Sequence, residues 1–273
     1  MPSLDSSPLG QKTAYISQYQ PSLLFPIARQ ESREQLGLGV DLPFYGVDIW
    51  TGYELSWLNA LGKPQVAVAE FAIPCSSPFI IESKSFKLYL NSLNQTRFNS
   101  FAEVEACLVR DLSQVAGAAV GVDLQSLEES ALLISRAEES HCLDELNIDV
   151  ASYHPQPSLL TLDHGEVSEK LCSHLLKTNC PVTGQPDWAS LFIGYTGQKI
   201  NHENLLRYII SFREHQDFHE HCVERIFTDI LQRCQPQSLT VYARYTRRGG
   251  LDINPFRSSE QGNVPEIGRI LRQ

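Results

Sequence analysis

Residues 179–188 are the segment of this chain best suited to covalent chemistry. The sequence Asn-Cys-Pro-Val-Thr-Gly-Gln-Pro-Asp-Trp places Cys180 and Asp187 on a loop that two prolines stiffen. Rigid loops hold reactive groups in place, and a cysteine thiolate is a nucleophile when its surroundings lower the thiol pKa from about 8.5. The alternative is a small buried side chain at a turn, because free cysteines are commonly buried. The local pattern leaves both interpretations open.

Residues 215–222 collect imidazoles, carboxylates and a thiol near the start of a predicted helix. Glu220 is either the capping-box partner of Asp217 or a carboxylate that accepts paired N–H groups from a guanine-like base, with His219 positioning or moving protons. A third interpretation is a metal site, although histidines two apart cannot share one helical face. Its ligands would be His215, His219, His221 and Cys222.

Two further segments suit anion binding. In residues 81–90, Ser83 and Lys84 directly precede a helical apolar pattern, and a helix N-terminus favours an anion. The alternative is that Ser83 caps the helix and that the lysines are solvated. In residues 245–255, adjacent arginines and a glycine pair offer bidentate phosphate donors and a closely approaching backbone. A hairpin turn with solvated arginines explains that segment almost as well.

An internal repeat with a spacing of 119 to 120 residues indicates a duplicated module. The matched pairs are Ala69 with Ala189, Tyr89 with Tyr208, Ser92 with Ser211, and Phe98 with Phe218. Their order is the same in both halves of the chain. We therefore predict two modules, residues 1–136 and 137–273, with the join between about residues 135 and 149.

Each module is predicted to contain strand, strand, helix, helix, strand, strand, which is an α+β layout. Alternating apolar runs at 65–73, 119–124, 187–195 and 239–245 are typical of half-buried strands. Helices are predicted to start at two capping boxes, Ser100 with Glu103 and Asp217 with Glu220. Their apolar faces would cover a sheet. These faces comprise Val104, Cys107, Leu108 and Leu112 in the first module, and Val223, Phe227, Ile230 and Leu231 in the second.

The composition excludes several classes of protein. A formal net charge of −10 disfavours binding to a phosphate backbone, so we expect no direct nucleic-acid partner. Seven cysteines without a C-x-x-C pair suggest neither a disulfide scaffold nor a zinc finger. The sequence has neither a membrane-length apolar run nor a secretory signal pattern, so we expect a cytoplasmic location. Gly37-Leu-Gly39 leads into Val-Asp-Leu-Pro and cannot open a Rossmann helix.

Several segments together resemble the long, bimodular form of the NADPH-dependent 7-cyano-7-deazaguanine reductases of queuosine biosynthesis. They are residues 48–59, 82–92, 185–188, 218–220 and 242–255, whereas about 125–160 match least. The resemblance implies tandem tunnelling-fold modules, each an antiparallel sheet covered by two helices. It also implies a homodimer or higher homo-oligomer and a site that uses residues of both modules, so that neither half would work alone.

The resemblance also implies the role of each site residue. Cys180 would be the nucleophile, Asp187 the proton donor, and His219 a further catalytic group. The residues expected to bind a deazapurine substrate are Ile81, Glu82, Ser83, His219 and Glu220. The residues expected to contact NADPH are Ser83, Lys84, Arg248 and Gly249, and Arg247 is an alternative reader of the 2′-phosphate. No metal is expected.

The implied reaction reduces a nitrile to an aminomethyl group with two NADPH through a thioimide on Cys180. Two rival functions remain: a cysteine-dependent nitrile or amidine hydrolase, and a non-catalytic purine- or pterin-binding protein of the same fold. A separate hypothesis is that Cys222, close in sequence to Glu220, forms a reversible disulfide with Cys180.

Overall fold

A computed structural model describes residues 16–127, 140–262, 264 and 268–273. The helices are α1 (Gln30–Gln35), α2 (Ser83–Ser92), α3 (Phe101–Ala116), α4 (His202–Ile210) and α5 (His219–Cys234). The strands are β1 (Pro26–Ala28), β2 (Tyr45–Leu58), β3 (Pro64–Pro74), β4 (Phe79–Ile81), β5 (Gly121–Gln125), β6 (His141–Cys142), β7 (Leu162–Asn179), β8 (Pro186–Ile200), β9 (Ser238–Tyr245) and β10 (Leu251–Ser258). All four predicted strands are confirmed, at β3, β5, β8 and β9.

The chain forms two compact units whose segments interleave in sequence. Unit 1 comprises the described residues within Met1–Glu31, Asp48–Leu132 and Arg247–Asp252. Unit 2 comprises those within Ser32–Val47, Leu133–Thr246 and Ile253–Gln273. Each unit therefore takes a short segment from the opposite half of the chain. The division into modules 1–136 and 137–273 stays a prediction about the duplication of the sequence.

Unit 1 contains β3 paired antiparallel with β5, and β2 on the other side of β3. The Ser100 hydroxyl caps α3 by accepting the Glu103 N–H at 3.2 Å. The Glu103 carboxylate accepts the Asn99 N–H at 2.7 Å, one residue earlier than a capping box requires. All four residues predicted to form the apolar face of this helix are buried, which confirms that face.

Unit 2 contains the strand order β10, β9, β8, β7 and β6, with β6 parallel to β7 and the longer strands antiparallel. On α5, Val223, Phe227 and Ile230 are buried as predicted, whereas Leu231 is half-buried. Mixed helix and strand content with antiparallel sheets is thus confirmed. Within the described part of the chain, no helix has the length and apolar character needed to cross a membrane.

The helix pairs of the two units carry the same internal contacts at the positions that the sequence repeat aligns. In unit 1 the Tyr89 hydroxyl donates to Asp111 on α3 at 2.8 Å. In unit 2 the Tyr208 hydroxyl donates to Asp229 on α5 at 2.6 Å. The serine three residues after each tyrosine donates to that tyrosine's carbonyl oxygen at 2.6 Å. Repeated buried hydrogen bonds at matched positions support a duplication.

A buried ion cluster connects α1, α5 and β10 in unit 2. The Glu224 carboxylate on α5 accepts two hydrogen bonds from Arg33 on α1, at 2.9 and 2.7 Å. It also accepts from Arg257 on β10 at 2.9 Å, and Glu224 and Arg257 are fully buried. Because each of these charges lies out of water, their mutual pairing offsets the cost of desolvation.

Candidate active site

Cys180 begins the tight loop that joins β7 to β8. Its backbone N–H donates to Gln185 O at 2.9 Å, and the Gly184 N–H donates back to Cys180 O at 3.0 Å. Gly184 has a φ of +66°, which side chains other than glycine rarely adopt. The Cys180 residue is 4% exposed. These hydrogen bonds fix the backbone at Cys180, as predicted for a stiff loop. Asp187, which was predicted on the same loop, lies instead on β8 together with the second proline.

Asp187 lies on β8, in register with Thr178 on β7, and is 7% exposed. The His219 Nε2 lies 3.3 Å from Asp187 Oδ2. The end of β7 positions this histidine, because the Asn179 N–H donates to His215 O at 2.8 Å and the Asp217 N–H donates to Asn179 O at 3.2 Å. The strand end thus brings the predicted proton donor and the predicted histidine together.

Tyr245, the last residue of β9, is a site residue that the sequence did not predict. Its ring stacks on the His219 imidazole with centroids 3.7 Å apart and planes 4° apart. The ring orientation of His219 is therefore fixed. Its buried Nδ1 has no hydrogen-bond partner among the described residues. The pairing of Ala189 on β8 with Tyr245 on β9 places the tyrosine ring beside His219. A local sequence motif does not predict such a strand register.

Glu220 is not a capping-box partner, so that interpretation is wrong. The N-cap residue of α5 is Phe218, which makes no side-chain cap. The Asp217 carboxylate instead accepts the Phe218 N–H at 2.8 Å and contacts His221 Nδ1 at 3.1 Å. Glu220 is 2% exposed, and its role in base recognition stays a prediction.

The histidines around the start of α5 divide between two carboxylates. His215 Nε2 lies 3.6 Å from Asp217 Oδ2, and His221 contacts the other oxygen of Asp217. Burial alone would raise the pKa of Asp217, but its contacts with His215 and His221 and the hydrogen bond from the Phe218 N–H outweigh it and lower that pKa. His219 faces Asp187 instead. These imidazoles therefore serve as carboxylate partners in the structure.

Cys222 is fully buried in unit 2. Burial, and after it the negative charge of Asp217, raises the pKa of this thiol well above its usual value. Cys222 is consequently protonated at neutral pH and is a poor nucleophile. The disulfide between Cys180 and Cys222 stays a prediction.

Glu82 is the N-cap of α2. The sequence analysis had considered Ser83 for this position. Its carboxylate accepts the backbone N–H groups of Lys84 and Ser85 at 2.7 and 2.8 Å. Burial raises the pKa of Glu82, although these two N–H groups and the nearby lysines oppose the rise. Ile81 ends β4, in register with Pro26, and is also buried.

Arg248 and Gly249 lie in a tight turn of unit 1 that leads into β10. The Arg248 N–H donates to Leu251 O at 2.9 Å, and Gly249 has a φ of +61°. A Cβ at Gly249 would lie 3.2 Å from the Lys87 side chain, so the turn packs directly against α2. The guanidinium of Arg247 lies over the Tyr53 ring, 5.0 Å from its centroid. The predicted hairpin turn is confirmed, and its Gly249 lies against the lysine-bearing helix α2.

The predicted site residues are divided between the two units. Unit 2 holds Cys180, Asp187 and the residues at the start of α5. Unit 1 holds Ile81, Glu82, Ser83 and Lys84 together with Arg248 and Gly249. Lys87 is a cation of unit 1 that the predictions left as a solvated residue.

Two family models match the chain. Residues 15–124 match the N-terminal part of a family described as nitrile reductase, 7-cyano-7-deazaguanine-reductase. Residues 186–263 match a family described as QueF-like protein. The apo form of an archaeosine synthase QueF-like protein is 17% identical and covers 38% of this chain, and its TM-score of 0.31 is too low to assign the fold.

Curated relatives match almost the whole chain. The protein named NADPH-dependent 7-cyano-7-deazaguanine reductase from Hydrogenovibrio crunogenus is 58% identical over 98% of this chain and 97% of its own length. Proteins with the same name from Paraburkholderia phytofirmans and Chromobacterium violaceum are 56% and 59% identical, again over 98% of this chain and 99% and 97% of their own lengths. The chain belongs to the NADPH-dependent 7-cyano-7-deazaguanine reductase family.

Proposed function

We propose that this chain reduces the nitrile of 7-cyano-7-deazaguanine to the aminomethyl group of 7-aminomethyl-7-deazaguanine, with two NADPH per product, in queuosine biosynthesis. The observation that supports the reaction best is the burial of Cys180 and Asp187, with His219 in contact with Asp187, in a chain 58% identical to a named reductase. A nucleophile, an acid and an oriented imidazole are what addition to a nitrile requires.

In the first step the Cys180 sulfur adds to the nitrile carbon and forms a carbon–sulfur bond. The electron pair released from the triple bond moves to nitrogen, which Asp187 protonates, and the product is a thioimide. Asp187 is suited to this role because its Oδ2 contacts His219 Nε2 at 3.3 Å. After Asp187 has given up its proton, His219 can supply it with another. Burial of Cys180 and Asp187 keeps water from hydrolysing the thioimide.

The residues of unit 1 suit the phosphates of the cofactor. Unit 1 carries the cations Lys84 and Lys87 on α2 and Arg247 and Arg248 in the turn, and Gly249 in that turn lies against Lys87. When bound, NADPH supplies hydride to the carbon in each of two reductions. Between these reductions the thiolate of Cys180 leaves, which produces an imine, and the second reduction yields the amine.

Two buried carboxylates, Glu82 and Glu220, are each proposed as an acceptor of N–H groups of a guanine-like base. The unpartnered Nδ1 of His219 offers a further polar contact. Glu82 already accepts two backbone N–H groups, so its orientation is set before the substrate arrives.

The fold and assembly that we propose are tandem tunnelling-fold modules in a homodimer or higher homo-oligomer. The matched tyrosine–aspartate contacts of α2–α3 and α4–α5 support the duplication. Size-exclusion chromatography with light scattering measures the assembly, and a monomer at micromolar concentration would refute that part of the proposal.

Mass analysis of the intact protein tests the nucleophile. We expect the protein mixed with 7-cyano-7-deazaguanine, in the absence of NADPH, to gain the mass of the whole base. Cys180→Ala should abolish this gain, whereas Cys234→Ala, a change at another buried cysteine of unit 2, should keep it. Addition at any residue other than Cys180 would refute the mechanism.

The consumption of NADPH tests the reaction itself. We expect two NADPH oxidised per amine formed. Release of an amide or acid without NADPH oxidation would indicate a hydrolase, and binding without an adduct or turnover would indicate a non-catalytic protein. Either result would refute the proposed function.

A further inference from the structure

Unit 2 carries a second cluster of chemistry-bearing side chains, on β6 and β7, whose members have no role in the proposed reaction. One ligand atom from each of Cys142, Cys172 and His174 lies within 4.8 Å of the other two. Cys142 is exposed, Cys172 is buried and His174 is half-buried. Two sulfurs and an imidazole nitrogen are the donor atoms that Zn²⁺ prefers.

The backbone creates this cluster from residues about thirty positions apart in sequence. Cys142 and Cys172 are register partners in the parallel pairing of β6 with β7. The Leu143 N–H donates to Cys172 O at 2.9 Å, which fixes that register. His174 follows Cys172 by two residues, where the pairing of β7 with β8 shifts register between Ser173 and Leu176.

Neighbouring polar groups hold the histidine. Its Nδ1 lies 2.7 Å from Ser190 Oγ, so one ring nitrogen is oriented by a hydroxyl while the ring has a second nitrogen to offer. The Asp144 carboxylate accepts hydrogen bonds from the backbone N–H of His174 at 2.9 Å and from the Ser173 hydroxyl at 2.7 Å. Metal-binding histidines typically use one nitrogen for such a bond and the other for the ion.

Cys142 and Cys172 place two sulfur atoms next to each other on neighbouring strands. Cys172 also packs in an apolar cluster with Phe192 and Tyr242, where an isolated thiolate is poorly solvated. A divalent ion would neutralise both thiolates, and the exposed Cys142 gives it a route of entry from solvent.

We propose that Cys142, Cys172 and His174 bind one thiophilic divalent metal ion, Zn²⁺ in the first instance, with water as the fourth ligand. A tetrahedral ion would draw the two sulfurs to about 3.8 Å from each other. Rotation of the exposed Cys142 side chain can supply that movement. The site would be structural, because it would tie the short strand β6 to β7.

Metal binding is measured on the full-length protein, stripped of metal and kept reduced with a phosphine. Zn²⁺ is titrated in competition with a chromogenic chelator, and Co²⁺ reports thiolate ligation by its charge-transfer absorption. We expect one equivalent to bind. Cys142→Ser should weaken binding by more than about 100-fold, and Ser190→Ala by about 10-fold, as for loss of a group that orients a metal ligand.

Two matched variants locate the ion. Cys180→Ala and Cys234→Ser should bind Zn²⁺ as tightly as the wild type, because neither belongs to the cluster. The Cys142 position is exposed, so Cys142→Ser should keep the wild-type melting temperature without metal. Absence of Zn²⁺ binding in the wild type, wild-type affinity in Cys142→Ser, or loss of binding in Cys180→Ala would each overturn the proposal.

Discussion

At the scale of single residues, His219 connects the acid of the proposed reaction to the scaffold. One nitrogen contacts Asp187, the ring face lies on Tyr245, and the other nitrogen is buried without a partner among the described residues. Such an imidazole has one orientation, which is what proton transfer requires. The stack with Tyr245 is therefore a positioning contact.

The ring of Tyr245, more than its hydroxyl, should support activity. Tyr245→Phe keeps the stack and should keep kcat/KM within about twofold. Tyr245→Leu removes it and should lower kcat/KM by roughly 2- to 10-fold, because aromatic pairs contribute about 0.5–1.5 kcal/mol beyond their burial. Steady-state kinetics on the nitrile provides the comparison. Equal losses in both variants would assign the effect to the hydroxyl.

Asp217 should contribute stability that acid removes. Its folded-state pKa lies below the value of about 3.9 in an unfolded chain, so between these values the unfolded chain binds more protons. Stability from this group is therefore complete above about pH 4 and falls as the pH drops toward the folded pKa.

Asp217→Asn should lower the free energy of unfolding at pH 7 and flatten its dependence on pH below about pH 4. Urea denaturation at several pH values measures both effects. Asp149→Asn, at an exposed carboxylate of unit 2, is the matched control and should follow the wild type. A wild-type slope in Asp217→Asn would contradict the assignment.

At the scale of elements, the buried ion cluster on α1, α5 and β10 is expected to contribute more to the stability of unit 2 than the ion pairs on its surface. Glu224 is fully buried and accepts from two arginines, whereas Glu203 pairs with Arg207 at 3.3 Å with 56% of its side chain exposed. Exposed pairs contribute about 0–1 kcal/mol. Removing one member of a buried cluster leaves uncompensated charge.

Glu224→Gln should destabilise the protein by about 3–5 kcal/mol, because two buried guanidiniums lose their counter-charge. Glu203→Gln should change stability by less than about 0.5 kcal/mol. Chemical denaturation of both variants gives the two values. Similar small losses in both would show that the buried cluster is worth no more than a surface pair.

At the scale of the whole molecule, the interleaving of segments makes a simple division of the chain unfavourable. Residues 32–47 belong to unit 2 and supply Arg33 to Glu224 and Phe44 to Phe227, whose rings lie 5.5 Å apart. A piece comprising only 137–273 lacks this segment. One face of α5 would then lose its covering.

The isolated segment 137–273 should consequently fail to unfold cooperatively and should show no reductase activity. Circular dichroism melts and limited proteolysis of this piece, with the full-length chain as control, measure the first effect. Fusion of residues 30–47 to its N-terminus should restore part of the protease resistance. A cooperative melt of 137–273 alone at the full-length temperature would contradict the role of the segment.

The sequence by itself determined four of the ten described strands, the repeat and the residues able to do chemistry, because each follows from local periodicity or side-chain type. The alternation in residues 65–73 specifies a half-buried strand whatever packs on it, and Cys180 between prolines marks a stiff reactive loop. The resemblance to a known family assigned a role in catalysis or binding to each of these residues. Two local interpretations were wrong: Glu82 and not Ser83 caps α2, and Glu220 does not cap α5.

Only the tertiary structure decided which of these residues meet. The contact of Asp187 with His219, the stack of His219 on Tyr245 and the cluster of Cys142 with Cys172 all depend on strand register and on where a helix begins. A pattern along the chain specifies which face a residue occupies, and it carries no information about the neighbour on the next strand. Burial and charge pairing across distant segments select that neighbour, because they are properties of the packed chain.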